Sequence, residues 1–258
     1  MRCSSAAVFD SLATSYERHF AEPHRAAYDL LAWEYVERLL PALPGRVIDA
    51  GCGVGRWVPR LLREGHEVIG IENSPGMIQR LHEAALGDHF TLVEGSMETT
   101  ELAEGQADLV IAMGSLQYAE RPEVTLQRFS SWLRPGGAVC VLVDSLVALV
   151  VELLARGSSV EAFDRLSTRR GVFRIEGASA EHHLFDRVRL VEAFANAGLE
   201  GIETRGLLVG ATVFGRAALT RRLEASPDSA LAVERDLMRE SVLCDVGKQL
   251  LASGRRLT

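Results

Sequence analysis

The segment Val47-Ile48-Asp49-Ala50-Gly51-Cys52-Gly53-Val54-Gly55 restricts the fold more than any other part of this 258-residue chain. A short run of apolar and β-branched residues at 46–49 predicts a strand. It enters a loop with glycine at every second position, and a helix predicted over 57–64 leaves it, stopped by Gly65. Glycine turns the backbone tightly and lets it approach a ligand with no side chain between. The next predicted strand, 67–71, runs into Glu72 and Asn73, about twenty residues on, where dinucleotide folds carry a ribose-binding acid. Loop and acid then lie side by side at the carboxyl ends of adjacent strands, where open α/β sheets bind ligands.

The alternation continues. Strands are predicted at 90–94, 108–113 and 138–143. Helices are predicted at 76–85, capped by Ser74 with Pro75 in the first turn, and at 123–133, with a turn over 134–137. Continuously apolar strands between helices predict an α/β fold, a doubly wound and mostly parallel sheet covered on both faces. Two helices, 7–20 and 25–40, precede the sheet. After it the pattern gives helices at 146–155 and 161–169 and short strands at 171–176 and 183–185. A helix at 187–197, a strand at 201–205, a helix at 230–241 and a last strand at 249–254 complete the chain.

Composition narrows the function. A net charge of −7 argues against nucleic acid as the main partner, because such binders carry a basic field. The cysteines Cys3, Cys52, Cys140 and Cys244 form no metal-ligand spacing, so no metal is expected, and a reduced cytoplasmic protein is the simplest inference. The most apolar stretch, 138–155, contains Asp144, Ser145 and Glu152 and is not read as a membrane span. The opening twenty residues have no apolar run of signal-peptide length.

The loop also restricts the ligand. A dinucleotide fingerprint has a third glycine where Arg56 stands here. Asp49 at the loop's mouth would repel a pyrophosphate but suits a ligand carrying an ammonium and a sulfonium, as S-adenosylmethionine does. VIDAGCGVG resembles the first motif of class I methyltransferases that use this donor, and VIGIENSPGMIQR resembles the segment that follows it. VEGSMETT and ADLVIAMGSLQYAERPEVTLQRFSSWLRPGG resemble the later cofactor segments in the expected order. The opening FDSLATSYERHF resembles the leading helix of the small-molecule branch, the quinone-biosynthesis group included.

The resemblance implies a Rossmann-like sheet of seven strands, the last antiparallel, with a helical lid. It implies S-adenosylmethionine as cofactor and S-adenosylhomocysteine as product. Gly51, Cys52, Gly53 and Gly55 then pack against the methionine part, Asp49 reaches its ammonium, and Glu72 takes the ribose hydroxyls. Asn73 and Met77 lie beside the adenosine, and Gly95, Ser96 and Met97 border the adenine. Met113, Gly114 and Ser115 pass under the donor, and Tyr16 closes over it. Ser96 stands where the family often has an aspartate. The expected organisation is one methyltransferase domain, 1–258, comprising an N-terminal helical lid (1–44), a donor-binding core (45–144), a substrate-cap insertion (145–186) and the C-terminal half of the sheet (187–258).

The acceptor is less constrained. Methyl transfer needs alignment and exclusion of water, with a base only if the acceptor must lose a proton. His182, His183 and Tyr118 are the candidate catalytic residues; His19, His24, Tyr16 and Glu181 are weaker ones. The two histidines read equally as residues that cap or pack before a new helix. Arg25 reads as a solvated arginine or as the holder of an acidic acceptor. A largely apolar pocket is expected from Phe9, Trp33, Leu146, Leu149, Phe163 and Phe173. No motif for amino-methylation of DNA bases follows the fourth strand. The expected acceptor is therefore a small molecule, handled by a monomer or homodimer. Two other readings stay open: a donor-binding enzyme catalysing a non-methylation reaction such as cyclisation, and a nicotinamide-dependent oxidoreductase.

Overall fold

β1 (Arg46–Ala50) is an interior strand of a seven-stranded sheet and is buried on both faces. In this computed structural model, which describes residues 5–13, 22–42, 44–175 and 178–257, the strand order is β3-β2-β1-β4-β5-β9-β8. β2 (Glu67–Glu72), β3 (Phe90–Glu94), β4 (Ala107–Met113) and β5 (Leu133–Asp144) pair in parallel with their neighbours. β9 (Gln249–Arg256) is antiparallel to β5 and to β8 (Leu199–Leu207), between which it sits.

Alternate residues of each central strand feed two cores. Val47, Leu109, Ile111, Cys140 and Leu251 point to the face covered by α2 (Pro23–Glu37), α3 (Val58–Arg63), α10 (Arg216–Ala225) and α11 (Pro227–Arg239). Ile48, Val110, Val139, Val141 and Leu250 point to the other, covered by α5 (Pro122–Trp132) and α8 (Arg187–Asn196). Period-two alternation with both faces apolar is why these strands read as unbroken hydrophobic runs.

A third, smaller cluster closes the carboxyl end of the sheet. Val8 and Leu12 of α1 (Ser5–Leu12) and Ala13 pack on Met77 of α4 (Pro75–Ala84) and on Ala180. Ala180 belongs to an antiparallel hairpin, β6 (Arg170–Ile175) and β7 (Ala178–His183), separate from the main sheet. Asp10 of α1 accepts the Gly76 N–H at the start of α4, 2.5 Å away. Helices α6 (Leu146–Ala155) and α7 (Ser159–Thr168) lead from β5 to the hairpin.

Most expected elements are present, with three differences. The predicted turn over 134–137 lies inside β5, which already pairs at Leu133 through an irregular register opposite Ala107 and Leu109. β7 ends where a strand at 183–185 was expected, and Phe185 makes only a bridge to Ser145. Between β8 and β9 stand α9 (Val209–Phe214) and α10, neither of which the pattern separated. Tyr16 and His19, with the second half of the expected first helix, lie outside the described residues. Among the described residues no helix is long and apolar enough to cross a membrane.

Candidate active site

The glycine loop bends against two neighbours at once. Gly51, Gly53 and Gly55 all adopt positive φ, at 74°, 58° and 80°. A Cβ on Gly51 would stand 2.4 Å from that of Ser115 after β4, and one on Gly55 would stand 2.7 Å from Leu81 of α4. The Ile71 carbonyl at the end of β2 accepts the N–H groups of Gly51 and Cys52, at 2.8 and 3.1 Å. Glu72 completes the lock: one carboxylate oxygen accepts Gly53 N–H at 2.8 Å, the other Asn73 and Ser74 N–H at 2.9 Å each. Charge-assisted bonds of this kind fix the loop's shape before any ligand arrives.

A cleft enclosing about 710 Å³, including space open to solvent, lies over this loop. Gly51, Gly53, Glu72, Asn73 and Met77 form one side, and Gly95, Ser96, Met97, Met113, Gly114 and Ser115 the other. Ile71 and Glu98 also line it, as do Phe9 and Tyr118. Ser96 Oγ accepts Glu98 N–H at 3.2 Å, so its oxygen already helps to shape the loop after β3. Three residues expected at the surface lie behind it. Cys52 packs against Gly70, and burial pushes its thiol well above the usual range. Gly55 abuts α4. Asp49 is 1% exposed and leaves Oδ2 without a hydrogen-bond partner. Burial pushes its carboxyl up to about 7, Glu72 adds to the rise, and Arg56 opposes it. A buried carboxylate with an unpartnered oxygen beneath a loop whose Gly53 N–H is already taken by the Glu72 carboxylate fits a cationic ligand; it does not fit a pyrophosphate.

A second cleft, enclosing about 1540 Å³ including space open to solvent, shares Phe9, Met113, Gly114 and Tyr118 with the first. Aromatic rings mark the junction. Phe9 meets Tyr118 edge-on at 5.0 Å and stacks on Phe173 of β6 at 5.9 Å, and the His182 ring is 5.4 Å from Tyr118. His182 Nε2 lies 3.2 Å from Asp144 Oδ2, at the carboxyl end of β5. Gln117 brackets that aspartate, its Oε1 accepting Asp144 N–H at 2.6 Å and its amide donating to Oδ2 at 3.3 Å. Burial raises the Asp144 carboxyl, but the contacts from His182, Lys248 and Gln249 outweigh it and hold the group below its ordinary value. His182 is buried, and its Nδ1 has no hydrogen-bond partner.

The expected apolar pocket is corrected in two ways. Of its six residues, Phe9, Leu149 and Phe173 line the cleft. Trp33 stacks instead on Trp57 in the core, Leu146 is buried between α6 and α7, and Phe163 is 72% exposed. The walls also carry Arg25, Arg56, Arg174, Arg216 and Lys248, with Asp144 as the acid among them. His183 is likewise absent from the lining. Its Nε2 is 3.3 Å from the Glu120 carbonyl and its Nδ1 3.1 Å from Arg189 Nη2, so both ring nitrogens are engaged in packing. Asp144, Gln117 and Lys248 escaped sequence reasoning. For Asp144 a signal existed, since it ends an apolar strand at the sheet's ligand-binding edge.

Residues 47–137 match the model of a methyltransferase domain family. A malonyl-[acyl-carrier protein] O-methyltransferase of Enterobacter lignolyticus is 32% identical over 187 residues, 67% of this chain and 71% of that protein. A tRNA 5-carboxymethoxyuridine methyltransferase of Escherichia coli is 25% identical, over 58% of this chain and 61% of its own length. Among solved structures, an S-adenosylmethionine-dependent methyltransferase of Thermotoga maritima, described as a possible histamine N-methyltransferase, has a TM-score of 0.63 at 18% identity. The match covers 97% of this chain and 98% of that one, and it bears on the fold alone. With the sheet order, the locked glycine loop and the buried Asp49, these likenesses place the chain: it belongs to the class I S-adenosylmethionine-dependent methyltransferases.

Proposed function

We propose that this methyltransferase holds its donor in the glycine-loop cleft and a small-molecule acceptor in the second cleft, and methylates an oxygen or nitrogen of that acceptor with His182 as base. The observation that carries this reading is the shared wall, Phe9, Met113, Gly114 and Tyr118, with the Asp144–His182 pair on its acceptor side. When bound, S-adenosylmethionine supplies an electrophilic methyl on a sulfonium and is left as S-adenosylhomocysteine.

The chain's own residues divide the remaining work. Glu72 offers the ribose hydroxyls what its three backbone donors leave of its lone pairs. Asp49 answers the ammonium from beneath the loop, Asn73, Met77 and Met97 flank the adenosine, and Met113 to Ser115 support the sulfur end. Asp144 accepts a hydrogen bond from His182 Nε2–H, which fixes the tautomer and leaves Nδ1 as the proton acceptor. α1 and the β6–β7 hairpin act as lid and cap that exclude water. The acidic balance of the chain favours a small acceptor over a nucleic acid, and its free, buried cysteines favour a reduced, cytoplasmic setting.

Transfer of labelled methyl to a panel of phenols and amines tests the reading. His182→Ala is expected to lower kcat by about 10²–10⁴-fold, with S-adenosylhomocysteine affinity unchanged. Turnover equal to wild type would remove His182 from the reaction.

A further inference from the structure

Gln117 is only 4% exposed, and a primary amide buried so deeply has to satisfy its polar atoms inside the protein. Both ends of its side chain go to one residue. Oε1 accepts the Asp144 N–H at 2.6 Å, and Nε2 donates to Asp144 Oδ2 at 3.3 Å. One bond holds the backbone of residue 144 and the other holds its carboxylate, so together they set the direction in which the carboxylate points. The same Oδ2 faces His182 Nε2 at 3.2 Å, and the Gln249 amide donates to Oδ1 at 3.4 Å. A methionine would fill the same space with no polar group to satisfy. What the amide adds over such a residue is the orientation of Asp144.

The place of Gln117 in the chain connects that acid to the donor cleft. It lies in the short helical turn Leu116–Tyr118 after β4, which the Tyr118 N–H closes on the Ser115 carbonyl at 2.9 Å. The residues just before it are pinned on both sides. Ser115 Oγ donates to the Ala50 carbonyl at the entry of the glycine loop, at 2.5 Å, and the Gly114 N–H to the Leu142 carbonyl of β5, at 2.9 Å. Gly114 and Ser115 line the donor cleft, and Gln117, two residues on, lines the second. Resting on the reading of His182 as base, we propose that Gln117 is a positioning residue for methyl transfer. It holds Asp144, and through Asp144 the Nε2–H tautomer of His182, at a fixed place relative to the donor cleft. Without the amide the carboxylate turns more freely, the Nε2–H and Nδ1–H tautomers of His182 mix, and the ring spends less time with Nδ1 open to take a proton. Small misplacements of a reacting group are enough to slow the chemistry while leaving binding alone.

Gln117→Met, which keeps the volume and removes the amide, is compared with wild type as full chains loaded with S-adenosylhomocysteine. Nitrogen-15 resonances of the histidine rings at alkaline pH read the tautomer, with the His182 signals identified by their loss in His182→Ala. Wild type is expected to show the Nε2–H form at His182, and Gln117→Met a mixture with the Nδ1–H form. With the phenol or amine that accepts labelled methyl, kcat is expected to fall about 10–100-fold, while acceptor KM and S-adenosylhomocysteine affinity stay within two-fold of wild type. Gln117→Asn keeps an amide but withdraws it from Asp144. It is expected to give the same two changes, and it decides the matter should Gln117→Met fold poorly. A wild-type tautomer or a wild-type kcat in the folded variant overturns the positioning role. Wild-type turnover by His182→Ala would instead overturn the base reading, whereas an impaired His182→Ala beside an unimpaired Gln117→Met removes Gln117 alone, so the two fail separately.

Discussion

The two clefts meet at Phe9 and Tyr118 but are built differently. The donor side is made by short pieces of chain at the ends of neighbouring strands, and its shape is held by bonds to main-chain N–H groups: from the Ile71 carbonyl to the glycine loop, from the Glu72 carboxylate to three N–H groups, and from Ser96 Oγ to Glu98 N–H. The acceptor side is made by side chains from α2, β5, α6, the β6–β7 hairpin, α10 and the start of β9, held by ion pairs and ring contacts. A backbone-built site tolerates few substitutions and serves one ligand. A side-chain-built site is free to vary without disturbing the sheet. On the proposed assignment of the two clefts, the fold itself sets the donor site, and residues the fold does not dictate set the acceptor site.

The largest effect expected on the donor side is at Gly51. Gly51→Ala drives a Cβ into Ser115 at a φ of 74°, a strain on the order of 3 kcal/mol. S-adenosylhomocysteine affinity should fall at least 100-fold by calorimetry, with a lower Tm. An alanine variant that binds normally would break the claim that backbone geometry defines this cleft.

The next effect sharpens the acceptor side by separating its two histidines. Burial, then Arg170 and Arg189, lower His183 to about 4 from an ordinary value of 6.5. Its folded value is depressed, so the stability it contributes is present above pH 6.5 and is lost as pH falls toward 4. Over that window His183→Gln should remove an acid sensitivity on the order of 2 kcal/mol, discounted for its partly buried position. Denaturant midpoints at pH 7 and pH 4.5 measure it. A variant with an unchanged pH dependence would show that His183 does not carry this term.

The smallest effect concerns the donor side again. Asp49, near 7 in the free protein, is largely protonated below that pH. A bound ammonium favours the carboxylate, so donor binding should release a proton at pH 6, and affinity should fall by up to about ten-fold per pH unit below 7. Calorimetry in buffers of different ionisation enthalpy reads the proton directly. Asp49→Asn should abolish the release, and a wild-type protein that releases none would place Asp49 outside the donor's field.

The same contrast explains what was legible in the sequence. Every strand of the parallel core and most donor-cleft residues followed from local pattern, because each is specified within one strand-loop-helix segment. The exceptions on that side, Asp49, Cys52 and Gly55, stand at the right place in the motif but one layer below the surface, a distinction that spacing does not carry. On the second cleft's side the apolar and aromatic lining was partly legible, in Phe9, Tyr118, Leu149, Phe173 and His182, and its polar members mostly were not. Arg216 opens a helix that the hydrophobic pattern merged into its surroundings, and nothing near it in sequence announces Lys248; of the cations in the cleft only Arg25 was singled out, as a solvated arginine or the holder of an acidic acceptor. Choosing between His182 and His183, adjacent on one strand, required knowing which face of the hairpin turns inward.

Phe9 has one further consequence. It belongs to the walls of both clefts and sits on a helix tied to α4 through Asp10 and Gly76. Whatever positions that helix over the donor also finishes the acceptor's pocket. On the proposed assignment of the two clefts, the two ligands are expected to be thermodynamically linked, each changing the other's affinity by the same factor in either order of addition.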